Sequence, residues 1–221
     1  MLKAVIFDFD GTLADTAPAI VATMKQTFRE MGLPEPEEEL IKSTIGLPLE
    51  GCCRISGNLE EPQVEVATEI YRRIFNDFAA SHTKVYPGVV DTMNALAAKG
   101  LRLAIATSRG PNSLDLVLRT NSIEVVFETR VTGHDGYAPK PAPDMVLVLL
   151  ERMGLTPDEA LVVGDTTFDI EMGNGAGCRT CAVTYGNHSL EKLLTANPTY
   201  HIDSMPELMD IPEVSEAGRG R

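Results

Sequence analysis

Short unbroken runs of apolar residues recur along the chain and alternate with stretches of helical periodicity. The runs lack the alternation of a half-exposed strand, which indicates strands that are covered on both faces of a sheet. Helical patterns over residues 89–99 and 143–153 each end at a glycine, a common stop signal for helices. Strand followed by helix, repeated, predicts an α/β fold with a doubly wound parallel sheet. We place strands at residues 4–7, 101–106, 129–132, 161–163 and 180–183.

A helical segment interrupts this alternation after the first strand. Apolar residues recur at three- and four-residue spacing over residues 20–31 and again from Val64 to Phe78, which predicts two amphipathic helices. Pro34 and Pro36 separate the first helix from the next part of the insert. An insert of roughly seventy residues has the size of a small subdomain. The predicted division of the chain is 1–14 and 87–221 for the sheet domain and 15–86 for the helical insert.

Composition and charge narrow the classes of partner. With 43% apolar residues the chain can bury a core, and its net charge of −13 disfavours nucleic acid and anionic membranes as partners. No apolar run has the length of a membrane span, and the acidic start is unlike a signal peptide, so we expect a cytoplasmic protein. Cys178 and Cys181 form a C-x-x-C pair without a second pair at zinc spacing, and we interpret them as buried thiols.

The first predicted strand leads directly into two aspartates in the segment KAVIFDFDGTLADT. Strand alternation points Asp8 and Asp10 in the same direction, and Gly11 permits a tight turn after them. Ligands of open α/β sheets bind outside the carboxyl ends of the strands. Two close carboxylates indicate a divalent metal, a shared proton or exposure to solvent, and oxygen ligands alone favour Mg²⁺.

Three further polar groups come after predicted strands. Asp165 ends the strand in LVVGDTTFD and Asp169 comes four residues later, while Thr107 offers a hydroxyl and free amides that suit a phosphate. Prolines on both sides of Lys140, in APKPAPD, hold this lysine in a restricted segment. Carboxylates, a hydroxyl and a lysine at neighbouring strand ends are typical of phosphoryl transfer, in which they neutralise the charge of the transition state. One aspartate can attack phosphorus while the second moves a proton.

In this order, DFDGTLADT, Thr107, Lys140 in KPAPD, and GDTTFD resemble the four motifs of the haloacid dehalogenase-like (HAD) hydrolase superfamily. The helical insert after the first motif resembles the phosphoglycolate phosphatase-like branch. The resemblance extends as far as Tyr185 and implies a Rossmann-like doubly wound parallel sheet core with an inserted small α-helical cap domain. It also implies Asp8 as nucleophile, Asp10 as general acid and base, and Thr107 and Lys140 as contacts of the phosphoryl group.

The same resemblance implies a metal site and a substrate loop. Mg²⁺ would be bound by Asp8, the Asp10 carbonyl and Asp165. The segment STIGLPLEG, residues 43–51, resembles the cap loop that faces the active site in this branch. One departure comes after Thr107, where Ser-Arg replaces the Asn-Lys of many relatives, and this leaves the substrate open. Supporting residues would be Asp169, Ser108, Phe9 and Gly11, and candidate substrate contacts would be Gly46, Leu47, Pro48 and Arg54.

The favoured function is a Mg²⁺-dependent phosphatase that acts through a phospho-aspartate on a small phosphorylated metabolite, phosphoglycolate-like. A phosphomutase of the β-phosphoglucomutase type and an inorganic pyrophosphatase use the same chemistry and stay open as alternatives. A phospho-aspartate signalling module is a remote alternative, because receiver domains lack both the role of Asp10 and a large helical insert. Dehalogenation is disfavoured, because that branch lacks the second aspartate. The sequence leaves the oligomeric state open.

Overall fold

A six-stranded parallel sheet forms the centre of the molecule. The structure is a computed structural model that describes residues 1–120, 123 and 127–218, without the side chains of residues 76–82. The described strands are β1 Ala4–Phe7, β2 Ala14–Asp15, β3 Lys84–Val85, β4 Arg102–Ala106, β5 Thr129–Val131, β6 Ala160–Gly164, β7 Arg179–Val183 and β8 Tyr200–Ile202. The order across the sheet is β5-β4-β1-β6-β7-β8, and β2 and β3 form a separate antiparallel pair.

Strand β1 lies inside the sheet, and both of its faces are covered. Phe7 pairs with Ile105 of β4 on one side and with Val163 of β6 on the other. Val5 packs into one apolar cluster and Ile6 into a second cluster on the opposite face. Burial on both faces explains why this strand is an unbroken apolar run without alternation. The prediction of a doubly wound α/β sheet is therefore confirmed.

Helices cover both faces of the sheet and join its parallel strands. The helix predicted over residues 89–99 runs from Val89 to Ala98, and that predicted over 143–153 runs from Asp144 to Met153, after which Gly154 has a left-handed backbone. The remaining connections contain short 3₁₀ turns at Pro157–Glu159 and Met205–Asp210. The helices that accompany the sheet are α5 Val89–Ala98, α6 Pro111–Thr120, α7 Asp144–Met153, α8 Thr167–Gly175, α9 Leu190–Leu194 and α10 Pro212–Glu216.

Four helices lie between β2 and β3, and we call them the cap: α1 Ala17–Glu30, α2 Glu38–Thr44, α3 Leu49–Gly57 and α4 Glu61–His82. The apolar patterns predicted two of them, α1 and α4, whose buried Met24, Phe28, Ala67 and Tyr71 belong to one core cluster. Phe78, also part of the pattern, lies outside the described side chains. The sequence pattern did not reveal α2 and α3, because both are shorter than three turns. The domain limits at 14/15 and 86/87 stay a prediction.

The thiols are buried, as the sequence predicted. All four cysteines are free, and burial raises the pKa of the Cys52 and Cys181 thiols to about 12. They are therefore weak nucleophiles at neutral pH, in agreement with packing thiols. Among the described residues, no helix combines the length and the apolar character that crossing a membrane requires.

Candidate active site

Three polar residues lie directly after neighbouring strands, at the carboxyl ends of β1, β4 and β6. The amide of Asp8 donates a hydrogen bond to the carbonyl oxygen of Val163 over 2.9 Å, so Asp8 continues the ladder of β1. The amide of Thr107 extends β4 in the same way by donating to Val131 over 3.0 Å. Asp165 comes directly after β6 and is fully buried. Parallel pairing thus brings residues that lie far apart in the sequence to one end of the sheet.

Lys140 reaches this edge from the loop after β5 and joins two carboxylates. Its ammonium nitrogen lies 2.5 Å from Asp8 Oδ1 and 2.6 Å from Asp169 Oδ1. Its side chain has no exposed surface. Burial lowers the pKa of Lys140, but the charges of Asp169 and Asp8 outweigh this effect and raise the pKa above its ordinary value. Lys140 is therefore a fixed positive charge in contact with Asp8.

Asp169 and Asp165 are both held by hydrogen bonds. Asp169 Oδ2 accepts from the amide and hydroxyl of Thr166 over 3.0 and 2.6 Å, a capping box at the start of α8. Asp165 Oδ1 accepts from the Thr12 hydroxyl over 2.9 Å, and its Oδ2 accepts from the amide and side chain of Asn187, both over 2.8 Å. Thr12 and Asn187 were not predicted from the sequence.

A close turn allows the Asp165 carboxylate to approach the chain after β1. Gly11 has a φ of +84°, and a β-carbon on it would lie 2.2 Å from both Asp165 Oδ2 and Asn187 Nδ2. A glycine is therefore required there for its backbone conformation and for space. This is the physical reason for the glycine directly after the two aspartates.

The three buried carboxylates fit a divalent cation. Oxygen atoms of Asp8, Asp165 and Asp169 lie within 4.8 Å of one another. Burial and the neighbouring carboxylates raise the pKa of Asp8 well above its usual value, against the effect of Lys140, and burial raises the pKa of Asp165 to about 7. Asp8 Oδ2 is buried and has no hydrogen-bond partner among the described residues. An all-oxygen donor set with an unpaired carboxylate oxygen suits Mg²⁺, which would relieve this repulsion.

The second aspartate of the first motif is held apart from this cluster. Asp10 Oδ1 accepts from the Thr16 hydroxyl over 2.6 Å, and Arg109 Nε lies 3.1 and 3.0 Å from the two Asp10 oxygens. Arg109 Nη2 also donates to Asp10 Oδ1. Burial lowers the pKa of Arg109, but the Asp10 charge outweighs it and raises the pKa above the usual range. The sequence marked Arg109 as a departure from the family pattern without predicting this contact.

A cavity of about 290 Å³ lies between the cap and the strand ends. Asp8, Asp10 and Thr107 line it from the sheet side. The predicted substrate loop lines the cap side, and Ser108 joins the two sides by donating from its hydroxyl to the Gly46 carbonyl over 2.7 Å. The loop residues that line the cavity include Gly46, Leu47 and Pro48, three of the four predicted substrate contacts.

The fourth predicted substrate contact, Arg54, lies elsewhere. Its guanidinium pairs with Glu61 over 2.6 Å on the exposed surface of the cap, and Arg54 is absent from the lining of the cavity. The structure therefore does not bring Arg54 together with the other three predicted contacts, and its role in substrate binding stays a prediction. His134, in the loop after β5, also lines the cavity and lies near Gly110. Phe9, a predicted supporting residue, is fully buried behind the two aspartates.

Comparison with known proteins decides the family. A family model described as haloacid dehalogenase-like hydrolase matches residues 5–183. The chain belongs to this family. The match includes all four motifs and the whole cap. The resemblance seen in the motifs is thus confirmed, including the likeness to the phosphoglycolate phosphatase-like branch.

Individual HAD relatives agree with this placement. The chain is 34% identical over 213 residues to PpaX of Clostridium perfringens, named as a proposed pyrophosphatase, with 96% of this chain and 98% of the relative covered. It is 29% identical over 230 residues to phosphoglycolate phosphatase of Escherichia coli K12, with 94% and 91% covered. A crystal structure of a haloacid dehalogenase-like hydrolase from Bacteroides fragilis superposes with a TM-score of 0.89 at 25% identity and covers 94% of this chain and 100% of that one.

These findings confirm that the HAD chain is an enzyme of the phosphatase type. The metal and the particular substrate are finer questions, because relatives with the same motifs carry different names. The answer for the metal depends on the carboxylates around Asp8, and the answer for the substrate depends on the cavity beside Asp8 and Asp10.

Proposed function

We propose that this HAD enzyme is a Mg²⁺-dependent phosphatase that removes phosphate from a small phosphorylated metabolite through a phospho-aspartate on Asp8. One observation carries the proposal. Asp8 Oδ1 is fixed by Lys140, whereas Asp8 Oδ2 is buried without a hydrogen-bond partner among the described residues, beside the carboxylates of Asp165 and Asp169. A carboxylate with this asymmetry is positioned to bind a cation and to attack phosphorus.

The proposed reaction has two steps that balance in atoms and charge. In the first step an Asp8 oxygen forms a bond to phosphorus and the bond to the leaving oxygen breaks, while Asp10 gives that oxygen its proton. In the second step Asp10 takes a proton from a water molecule, the water oxygen bonds to phosphorus, and the bond to Asp8 breaks. Inorganic phosphate leaves and both aspartates return to their starting states.

Other residues in the site hold the reacting groups. Lys140 and the Thr107 hydroxyl would contact the oxygens of the phosphoryl group, and Lys140 balances its negative charge. Mg²⁺ would be held by Asp8, Asp165 and the Asp10 carbonyl, and when bound it neutralises charge on the phosphoryl group. Asp169 fits a positioning role, because it accepts from the same Lys140 ammonium that contacts Asp8 and is itself held by Thr166.

The cap encloses the reaction and the cavity limits the size of the substrate. A volume of about 290 Å³ suits a small metabolite rather than a polymer. The bond between Ser108 and Gly46 holds the cap against the strand ends, which excludes water from the reacting groups. A cytoplasmic location, predicted from the sequence, is part of the same proposal.

The test is phosphate release from a panel of small phosphorylated metabolites, with and without Mg²⁺. We expect release to require Mg²⁺ in the millimolar range or below and to stop in a chelator. Asp8→Asn should abolish turnover while leaving the unfolding temperature close to that of the wild type. Turnover that survives rigorous metal removal, or that survives in Asp8→Asn, would contradict the proposed site.

Pyrophosphate hydrolysis is a second candidate, because the 34% identical relative is named for this activity. Pyrophosphate belongs in the same panel, and its hydrolysis yields two phosphates per turnover. A phosphomutase of the β-phosphoglucomutase type would instead return the phosphoryl group to another hydroxyl. Measuring product phosphate against free phosphate separates these activities.

A further inference from the structure

Arg109 lies in the cavity with part of its hydrogen-bonding capacity unused. Its side chain is 5% exposed, and it lies three residues after the end of β4. Asp10 accepts from Nε and from one N–H of Nη2, and Ser113 Oγ accepts from Nη1 over 2.6 Å. A guanidinium carries five N–H donors. Among the described residues, no acceptor is found for the other two, one on each terminal nitrogen.

The surroundings of Arg109 hold its guanidinium in place. Its Cζ atom lies 4.7 Å from the centre of the Phe75 ring, on α4 of the cap, and 5.9 Å from that of Phe9. Phe75 itself stacks on Tyr71 at 5.6 Å. Stacking on an aromatic face fixes the plane of a guanidinium and keeps its donor edge aligned. Arg109 is therefore a rigid cation between the sheet and the cap.

The cap side of the cavity includes apolar Ile20, Met24 and Leu47 and the polar side chains of Tyr71 and Glu50. Among the described residues, none of these accepts a hydrogen bond from Arg109, and leaving charged donors unpaired is costly. An anionic group on a bound ligand would satisfy both donors at once, in the bidentate manner in which arginine binds carboxylate and phosphate. Arg109 contacts the carboxylate of Asp10, the group proposed to protonate the leaving oxygen, so we assign it to the leaving-group side of the substrate.

We propose that Arg109 determines specificity by binding a second anionic group, a carboxylate or a phosphate, on the leaving-group portion of the substrate. This inference rests on the proposed function. It deepens that function by restricting the substrates to small phosphorylated compounds that carry a further negative charge close to the transferred phosphoryl group.

Arg72 is the rival for this role, because it also lines the cavity. Its side chain is 48% exposed and its guanidinium pairs with Glu50 over 2.8 Å at the surface of the cap. An exposed arginine that is already paired contributes less to binding than a buried one. We therefore assign the anion to Arg109 and include Arg72 in the test.

The experiment compares 2-phosphoglycolate with its amide, which lacks the carboxylate charge but has nearly the same size, and adds pyrophosphate as a compound with a second phosphate. The measured quantity is the ratio of kcat/KM for each anionic compound to that for the amide. In Arg109→Met we expect this ratio to fall about 10- to 100-fold for at least one anionic compound, the size of a lost charge-assisted contact. Arg109→Lys, which keeps the charge without the planar fork, should lie between Met and the wild type.

Arg54→Met is the matched control, since it removes an arginine from the cap surface outside the cavity. A fall in the ratio for phosphoglycolate alone identifies a carboxylate as the group that Arg109 binds. A fall for pyrophosphate alone identifies a phosphate as that group. The proposal is overturned if the wild type favours neither anionic compound over the amide, if Arg109→Met slows all compounds equally, or if only Arg72→Met changes the ratio. Should Arg109→Met not fold, the same outcomes are decided with Arg109→Lys.

Calorimetric binding in the Asp8→Asn background separates this inference from the proposed function. Affinity for at least one of 2-phosphoglycolate and pyrophosphate, relative to that for the amide, should fall about 10- to 100-fold when Arg109→Met is added. This readout needs no turnover. Absence of phosphate release by the wild type would thus refute the phosphatase, whereas an unchanged binding ratio would refute only the role of Arg109.

Discussion

The Ser108 hydroxyl, in the loop after β4, donates a hydrogen bond to the Gly46 carbonyl, in the loop between α2 and α3, over 2.7 Å. The bond connects the sheet to the cap directly above the cavity. Ser108 is 62 residues from Gly46 in the sequence, so it is a tertiary contact that holds the two parts together. Its contribution to closure can be measured.

Replacing Ser108 with Ala removes this bond without changing the fold of either loop. We expect KM for the best substrate to rise about 2- to 10-fold, because one neutral hydrogen bond contributes about 0.5–1.5 kcal/mol. Steady-state kinetics is the measurement. Ser43→Ala is the control, since its hydroxyl donates to Leu40 within the cap over 2.7 Å. A KM equal to that of the wild type in Ser108→Ala would show that the bond does not favour closure.

Lys140 is the only basic group in contact with Asp8 among the described residues. Lys140→Met leaves two buried carboxylates without their partner and should lower the free energy of unfolding by about 3–5 kcal/mol. Adding Asp169→Asn removes one of these carboxylate charges and should recover part of the loss. Urea unfolding of both single variants and the double variant gives the coupling free energy between Lys140 and Asp169. Strictly additive losses would mean that Lys140 and Asp169 do not stabilise each other.

Gly11 and Gly32 form a matched pair for testing the close turn after β1. Both have positive φ, +84° and +68°, but a β-carbon on Gly32 meets nothing within 4 Å whereas one on Gly11 meets Asp165. Gly32→Ala should cost about 1–2 kcal/mol from its left-handed backbone alone. Gly11→Ala should cost more and should also abolish turnover, because the Asp165 carboxylate must move. Equal losses of stability with normal turnover would refute the role of the close approach.

His188 supplies a pH-dependent contribution to stability. Its Nδ1 accepts from the Thr167 amide over 3.1 Å, and burial, followed by the charge of Lys192, lowers its pKa from 6.5 to about 4. The unfolded chain therefore binds a proton at a higher pH than the folded one, so stability is fully present above pH 6.5 and is lost as the pH falls toward 4.

Urea unfolding of the wild type and His188→Gln across this range measures the effect. The free energy of unfolding of the wild type, relative to that of His188→Gln, should fall as the pH is lowered below 6.5 and should stop changing near pH 4. Gln can still accept from the Thr167 amide, which makes it a suitable substitution. A difference that is constant with pH would contradict the buried neutral form of His188.

Several elements could be predicted because their sequence pattern is a direct result of burial. β1 and β6 are covered on both faces, so every residue in them is apolar or small. β8 was not predicted, since it has three residues at the edge of the sheet and exposes His201. The capped or glycine-stopped helices α5 and α7 were found within one residue of their ends, whereas α2 and α3 lack enough turns for a periodic pattern.

The residues of the active site also fall into those that the sequence predicted and those that it did not. Residues within ordered motifs, such as Asp8 and Asp165, could be predicted because they come after strands that meet at one edge. Asn187 and Arg109 could not, because their partners lie far away: Arg109 is 99 positions from Asp10 and Asn187 is 22 from Asp165. A contact between distant residues depends on how loops pack, and neither periodicity nor spacing carries that information.

The order of strands in the sheet bears on how the chain folds as it is synthesised. β1 is made before both of its hydrogen-bonding neighbours, β4 and β6, which begin at residues 102 and 160. An apolar strand with both edges unpaired must therefore wait while the chain up to β6 is translated, a delay that exposes it to aggregation. The surroundings of Asp8 are completed only when residue 165 has emerged and Asp165 can join it.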